Sequence, residues 1–85
     1  MANVVMYCTR FCPYCVRAKD LLEHKGIDYA EISVDSDRAK RQEMMQLSGR
    51  TSVPQIFIDD DHVGGCDELF ALDAAGGLDT KLGLA

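Results

Sequence analysis

The 85-residue chain contains no tryptophan, only two prolines and 7% aromatic residues, so its core must come mainly from aliphatic and sulfur-containing side chains. It also lacks any stretch apolar enough to cross a bilayer. Its N-terminus has neither the basic region nor the long apolar segment of a secretory signal peptide. We therefore expect one small domain, residues 1–85, in the cytoplasm, with no membrane association.

Basic residues are also few, with 9 Lys and Arg against 14 Asp and Glu and a net charge of −5. This balance argues against a nucleic-acid or membrane-surface binder. However, Arg10, Arg17 and Lys19 flank a pair of cysteines, and a locally basic face would suit an anionic small ligand. The alternative, which holds for most single surface cations, is that they are simply solvated.

The order of apolar runs, turn residues and helical patterns predicts an α/β fold with the element order βαβαββα. The first βαβ unit should be parallel with a right-handed crossover, and the later hairpin antiparallel. Together they give a four-stranded mixed sheet flanked by helices. The expected strands are 3–7, 27–34, 55–58 and 62–63, and the expected helices are 13–25, 37–48 and a third from about Asp67 to Gly76-Gly77.

Some details of these elements can also be predicted. Asp35 or Ser36 should cap the second helix, because acidic and hydroxyl side chains accept hydrogen bonds from the first turn. Met44 and Leu47 should face the core. Gly76-Gly77 should stop the last helix, leaving a short C-terminal tail.

The most informative motif is Cys12-Pro13-Tyr14-Cys15, which directly follows the first apolar run. A C-x-x-C pair next to a βαβ pattern is typical of a thiol–disulfide redox site. Cys12 falls at the predicted helix N-cap, and Pro13 at the first helical position, where proline is favoured. The free N–H groups and positive dipole end of the helix would stabilise a negative sulfur on Cys12.

Other uses of the four cysteines are less consistent with the chain. A disulfide framework requires a secreted protein. Cys8, Cys12 and Cys15 match the C-x3-C-x2-C spacing of radical-SAM enzymes, but 85 residues cannot form their barrel. A structural zinc site would need a second cysteine pair, and His24 and His62 stand alone, so we expect no metal site.

Two further segments fit ligand binding. Thr51-Ser52-Val53-Pro54 precedes the third strand, where proline marks a strand start or a bend. A cis Val53–Pro54 bond would leave the Val53 backbone free to pair with an extended peptide, although the local sequence does not establish the isomer. Tyr14 could wall a shallow groove beside the thiols, or could be one of many exposed residues that would serve there.

Gly64-Gly65-Cys66-Asp67 lies at a strand-to-helix turn. The glycines allow a ligand to approach the backbone, and the following helix N-terminus can bind an anion. Asp67 could receive a ligand ammonium group. The alternative is a plain turn with an acidic first helical turn.

Taken in order, C-P-Y-C at 12–15, a T-V-P-like element at 52–54 and G-G-C-D at 64–67 resemble the glutaredoxin family. The resemblance is to its short bacterial dithiol type and covers nearly the whole chain. It implies a thioredoxin fold, a cis Pro54, glutathione as co-substrate and no tightly bound cofactor. It also implies that Cys12 is the nucleophile, that Cys15 is the resolving thiol, and that glutathione contacts Tyr14, Thr51, Ser52, Val53, Pro54, Gly65, Cys66 and Asp67.

The chain departs from the family pattern near the first thiol. Many members carry a lysine three residues before the first cysteine, whereas this chain has Thr9 there and Arg10 beside it. Arg10 and Arg17 are therefore candidates for stabilising the thiolate or a glutathione carboxylate. Cys8 has no role that the resemblance assigns.

The resemblance implies a monomeric, glutathione-dependent thiol–disulfide oxidoreductase that reduces protein disulfides and protein–glutathione mixed disulfides. One alternative is a glutathione-ligated [2Fe–2S] carrier with one cysteine from each of two protomers. Pro13 and the complete C-P-Y-C motif count against it, and an absorption spectrum after anaerobic purification separates the two. A thioredoxin reduced by a flavoenzyme is a third option, disfavoured because a W-C-G-P-C-like motif is absent.

Overall fold

The computed structural model describes residues 2–84 and contains four strands and four helices. The strands are β1 Val4–Cys8, β2 Ala30–Ser33, β3 Gln55–Ile58 and β4 Asp61–Gly64, and the helices are α1 Pro13–His24, α2 Arg38–Ser48, α3 Cys66–Ala74 and α4 Gly77–Leu82. The strands form one mixed sheet in the order β2-β1-β3-β4. Strand β1 pairs in parallel with β2 and antiparallel with β3, and β3 pairs antiparallel with β4. The predicted sheet and the order βαβαββα are confirmed, with α4 in addition.

The side chains on the two faces of β1 pack into two different apolar clusters, because successive side chains of a strand point to opposite sides. Val4, Met6 and Cys8 pack with α1, α3 and α4 in the larger cluster. Tyr7 packs on the other side, with Met44 of α2. Cys8, at the carboxyl end of β1, therefore lies on the same face as the thiols of α1.

Strand β2 is shorter than the predicted 27–34. The N–H of Ile27 donates to the carbonyl of Leu22 at 3.0 Å, after Gly26 at a φ of 71°. Ile27 therefore takes part in the turn that closes the C-terminal end of α1, as is common where a left-handed glycine follows a helix. Pairing with β1 begins only at Ala30.

Two predictions about α2 were wrong. Its N-cap is Asp37, which accepts a hydrogen bond from the Lys40 N–H at 3.0 Å. Asp35 instead accepts from the N–H of Arg10, at 2.7 Å. Met44 is buried as predicted, but Leu47 is 58% exposed and borders a surface groove that Val5 and Tyr7 of β1 also line.

The C-terminal segment is a helix, whereas the sequence predicted a tail. Gly76 adopts a φ of 80° and ends α3, but α4 starts at the next residue. Leu78 and Leu82, four residues apart, are both buried against the main cluster. Lys25 at the end of α1 joins both helices, with its Nζ 2.8 Å from Asp73 and 2.6 Å from Asp79.

The β3–β4 hairpin is confirmed, with β4 longer than predicted. Asp59 and Asp60 have φ values of 51° and 69°, and Ile58 pairs with Asp61 across them. Aspartate is among the residues that tolerate left-handed positions in a two-residue hairpin turn. Within residues 2–84, none of the helices has the length and apolarity needed to span a membrane.

Candidate active site

Cys12 occupies the N-cap of α1, as predicted. Its backbone is extended, and its sulfur accepts a hydrogen bond from the N–H of Cys15 at 3.3 Å, with Pro13 beginning the helix. The sulfur is half-buried and lies 3.8 Å from the carbonyl oxygen of Val53. This position puts it at the positive end of the helix dipole, where a thiolate is stabilised.

Cys15 lies behind Cys12 and is only 1% exposed. Burial raises its pKa to about 12, and its hydrogen bond with Cys12 acts in the same direction. Cys15 is therefore a neutral thiol near neutral pH, while Cys12 is the sulfur that a bound molecule can reach. All four cysteines are free thiols in this structure.

The loop before β3 faces the thiols, and the buried side chain of Gln55 anchors it. The Val53–Pro54 bond is cis, as the family resemblance implied. Gln55 is fully buried, and its Nε2 donates to the carbonyl of Ser52 at 3.0 Å while its Oε1 lies 2.7 Å from Nε2 of His62. Gln55 was not singled out from the sequence, although one polar residue opening an otherwise apolar strand is a signal for such a buried anchor.

A groove of about 330 Å³ opens beside Cys12, between this loop and the start of α3. Its size is in the range of small-molecule sites. It brings together seven of the predicted ligand residues and two others, namely Tyr14, Ser52, Val53, Pro54, Gly65, Cys66 and Asp67, with Arg50 and Glu68. Thr51 is absent from the lining, and its carbonyl accepts from Nη1 of Arg41 at 3.3 Å.

The start of α3 forms one wall of the groove. Gly65 is its N-cap, and Glu68 folds back so that its Oε1 accepts from the Gly65 N–H at 2.8 Å. A Cβ on Gly64, which has a φ of 121°, would come within 2.6 Å of the same Glu68 oxygen, so only glycine fits. Asp67 is exposed in the first turn.

Arg50 and Glu68 were missed from the sequence and form an ion pair. The Gly65 N–H and then the Arg50 guanidinium lower the pKa of Glu68, which keeps it ionised. The pair joins residues 18 apart in the chain. Arg50 directly precedes the Thr-Ser-Val-Pro element, which is the local signal that could have drawn attention to it.

Comparison with known proteins agrees with the geometry. A model of the glutaredoxin family matches residues 4–63. The chain is 60% identical over 82 residues to glutaredoxin 3 of Escherichia coli K12, a match covering 96% of this chain and 99% of that protein. It is 52% identical over 82 residues to a glutaredoxin of Pseudomonas aeruginosa, covering 96% and 98%. The chain belongs to the glutaredoxin family.

Solved glutaredoxins have the same fold. The solution structure of glutaredoxin from Brucella melitensis is similar with a TM-score of 0.87 and 48% identity, covering 99% of this chain and 91% of that one. A crystal structure of a buckwheat glutaredoxin–glutathione complex gives a TM-score of 0.89 and 30% identity, covering 96% and 77%. The fold is therefore the thioredoxin fold, and the family activity is thiol–disulfide oxidoreduction.

In this glutaredoxin the two arginines proposed near the thiols point elsewhere. The exposed Arg10 guanidinium lies 3.7 Å from Asp35, and that of Arg17 lies 5.3 Å from the centre of the Phe70 ring. Among the described residues, the hydrogen-bond partners of the Cys12 sulfur are the Cys15 N–H and the Val53 carbonyl. Burial raises the pKa of the Cys66 thiol, and the positive charge of Arg17 acts in the opposite direction.

Proposed function

We propose that Cys12 is the nucleophile and Cys15 the resolving thiol of a glutathione-dependent reductase of protein disulfides and protein–glutathione mixed disulfides. The observation that carries this assignment is the contrast between the two sulfurs. Cys12 is half-buried at a helix N-terminus, and its sulfur lies 3.8 Å from the carbonyl oxygen of Val53, a residue that lines the groove. Cys15 is buried directly behind it, with its N–H bonded to the Cys12 sulfur.

On a glutathionylated protein, the Cys12 thiolate attacks the glutathione sulfur. The new sulfur–sulfur bond joins Cys12 to glutathione, and the protein leaves as a thiolate that takes a proton from water. A second glutathione, as thiolate, then attacks the glutathione sulfur on Cys12. Glutathione disulfide leaves, and the Cys12 thiolate is regenerated at the helix N-terminus that stabilises it as a leaving group.

On a protein disulfide, Cys12 first forms a mixed disulfide with the protein. Cys15, as thiolate, then attacks the Cys12 sulfur and releases the second protein thiol. The Cys12–Cys15 disulfide is reduced in turn by two molecules of glutathione. This branch needs Cys15, whereas the glutathionylated substrate needs only Cys12.

The groove supports the placement of glutathione. The Val53 backbone borders it and can pair with an extended peptide by strand addition. Asp67 offers a charge partner for the γ-glutamyl ammonium, and the N–H groups at the start of α3 suit its carboxylate. Arg50 is the cation that lines the groove, so we assign it the remaining carboxylate in place of Arg10 or Arg17.

The surface around Cys12 supports the proposal that the substrates are proteins. Phe11 is 91% exposed, and Tyr14 and Val16 are 54% and 52% exposed. Exposed apolar side chains beside a reactive group indicate a contact surface for another protein. We infer that the chain acts as a monomer in the cytoplasm, where a reducing environment keeps such thiols free, with glutathione as co-substrate and no tightly bound cofactor.

A two-substrate assay of the wild type, Cys12→Ser and Cys15→Ser tests this function. Cys12→Ser should abolish reduction of both a glutathionylated protein and a protein disulfide, because the attacking sulfur is gone. Cys15→Ser should retain the first activity and lose the second. Loss of both activities in Cys15→Ser would exclude the single-thiol branch.

A further inference from the structure

The side chain of Gln55 forms a hydrogen-bonded bridge between two chain segments behind the groove. It is fully buried at the start of β3, and its Nε2 donates to two atoms of Ser52, the carbonyl oxygen at 3.0 Å and the hydroxyl oxygen at 3.4 Å. Its Oε1 lies 2.7 Å from Nε2 of His62 on β4. Ser52 lines the groove, whereas Gln55 lies outside the lining. Any effect of Gln55 on a bound ligand is therefore indirect.

The direction of this bridge follows from the groups that form it. A carbonyl oxygen only accepts hydrogen bonds, so the amide nitrogen of Gln55 faces Ser52 and its amide oxygen faces His62. Nε2 of His62 therefore carries a hydrogen and donates it to Gln55. The His62 ring also lies against the ring of Phe57 on β3, with 5.0 Å between the centroids. The Gln55 amide is thus held in one orientation from both sides.

The hydrogen bond to Ser52 also sets the direction of the next N–H group. The Ser52–Val53 peptide is trans and planar, so its C=O and its N–H point in opposite directions. Because the C=O points to the buried Gln55, the N–H of Val53 points away from it. None of residues 2–84 accepts a hydrogen bond from this N–H. Val53 lines the groove, so its N–H is available to a ligand bound there.

We propose that Gln55, supported by His62, is a positioning residue that fixes the Ser52–Val53 peptide so that the Val53 N–H faces glutathione. The inference rests on the proposed function, in which glutathione pairs with the Val53 backbone by strand addition. Gln55 makes or breaks no covalent bond. It orders the peptide before the ligand arrives, which lowers the entropy that binding must remove. Loss of the bridge should therefore weaken only those substrates that pair with Val53.

Gln55→Met tests this role, because methionine has a similar length and no amide group. The substrates are one peptide with glutathione on its cysteine and the same peptide with β-mercaptoethanol there. Cys12 attacks both, but only glutathione has peptide groups that can pair with Val53. In stopped-flow assays, Gln55→Met should raise the half-saturating concentration of the glutathionylated peptide roughly five- to tenfold, the scale of one net hydrogen bond. The maximal rate, and the rate with the other peptide, should not change.

Two further variants complete the comparison. His62→Ala leaves Gln55 in place but removes the group that orients its amide, so it should cause a smaller loss with the same substrate selectivity. It also tests the proposal if Gln55→Met does not fold, because His62 is exposed. Tyr29→Phe is the matched control, since it removes one side-chain hydrogen bond, to Glu23 at 2.7 Å, outside the groove lining. It should leave the kinetics with both peptides unchanged.

Hydrogen exchange of the Val53 amide gives a readout that does not depend on activity. Cys15→Ser protein is converted to its Cys12–glutathione disulfide with glutathione disulfide, and amide exchange is followed by NMR. Attachment of glutathione should slow exchange of the Val53 N–H. The slowing should be smaller when Gln55→Met or His62→Ala is added to Cys15→Ser, and unchanged when Tyr29→Phe is added.

The outcomes separate this inference from the function on which it rests. Equal losses with both peptides in Gln55→Met, or no loss with either, would overturn the role of Gln55. So would Val53 exchange that glutathione slows equally in all the variants, or does not slow in any. If the wild type did not reduce the glutathionylated peptide, or glutathione did not attach to Cys12, the proposed function itself would be overturned.

Discussion

The two thiols of the C-P-Y-C motif differ because of what surrounds each sulfur. Cys12 has a helix N-terminus below it and the groove beside it, whereas Cys15 is enclosed by apolar side chains and other sulfurs. The local sequence was enough to predict the position of Cys12, because an N-cap followed by proline is a short-range signal. It could not predict Arg50 and Glu68 in the groove, because their positions depend on two segments meeting in the fold.

Asp67 provides a prediction about ligand specificity. Asp67→Ala should weaken the use of glutathione by roughly 1–3 kcal/mol, the cost of losing a charged hydrogen bond. The loss should be much smaller with the des-γ-glutamyl thiol, which lacks the ammonium and carboxylate that the start of α3 would bind. Steady-state kinetics with both thiols measure the difference.

Asp61→Ala is the control for that experiment, since Asp61 is an exposed acid on β4 and lies outside the groove lining. Asp61→Ala removes the same charge and should leave the steady-state kinetics with both thiols unchanged. Equal losses for both thiols in Asp67→Ala would mean that Asp67 supports the fold or Cys12, and does not contact the ligand.

At the level of whole elements, α4 is the feature that sequence analysis missed. The two consecutive glycines predict the end of the last helix and a short tail, yet of the two only Gly76 adopts the left-handed conformation that ends a helix. Leu78 and Leu82 have the four-residue spacing of one helical face, which was the available signal. Leu47 of α2 shows the opposite error, because its spacing from Met44 suits a core position but its side chain is 58% exposed beside a surface groove.

The importance of α4 for stability can be measured. Leu78 is fully buried, so Leu78→Ala should lower the free energy of unfolding by about 2–5 kcal/mol. That is a large share of the roughly 5–15 kcal/mol typical of a small domain. Urea unfolding followed by circular dichroism gives the value.

Leu84→Ala is the matched control, because Leu84 is 52% exposed and follows the same helix. It should change the unfolding free energy by less than about 0.5 kcal/mol. Similar effects of the two substitutions would mean that α4 does not pack on the core in solution.

For the molecule as a whole, the sheet brings three distant segments to one side of Cys12. The motif of α1, the loop before β3 and the start of α3 are separated in sequence but meet where β1 ends and β3 begins. Sequence analysis identified all three because each carries its own turn chemistry, namely proline after cysteine, proline before a strand and paired glycines. The sequence alone does not show which way Arg10 and Arg17 point, because this depends on long-range partners such as Asp35 and Phe70.

The sulfur that carries glutathione during turnover can be identified directly. Cys15→Ser protein is mixed with a glutathionylated protein, quenched with acid within the first turnover, digested and analysed by mass spectrometry. If Cys12 is the nucleophile, one glutathione per chain is attached to Cys12, and it disappears when free glutathione is added. Glutathione found instead on Cys66 or Cys8, or no adduct despite substrate reduction, would contradict the assignment of Cys12 as the nucleophile.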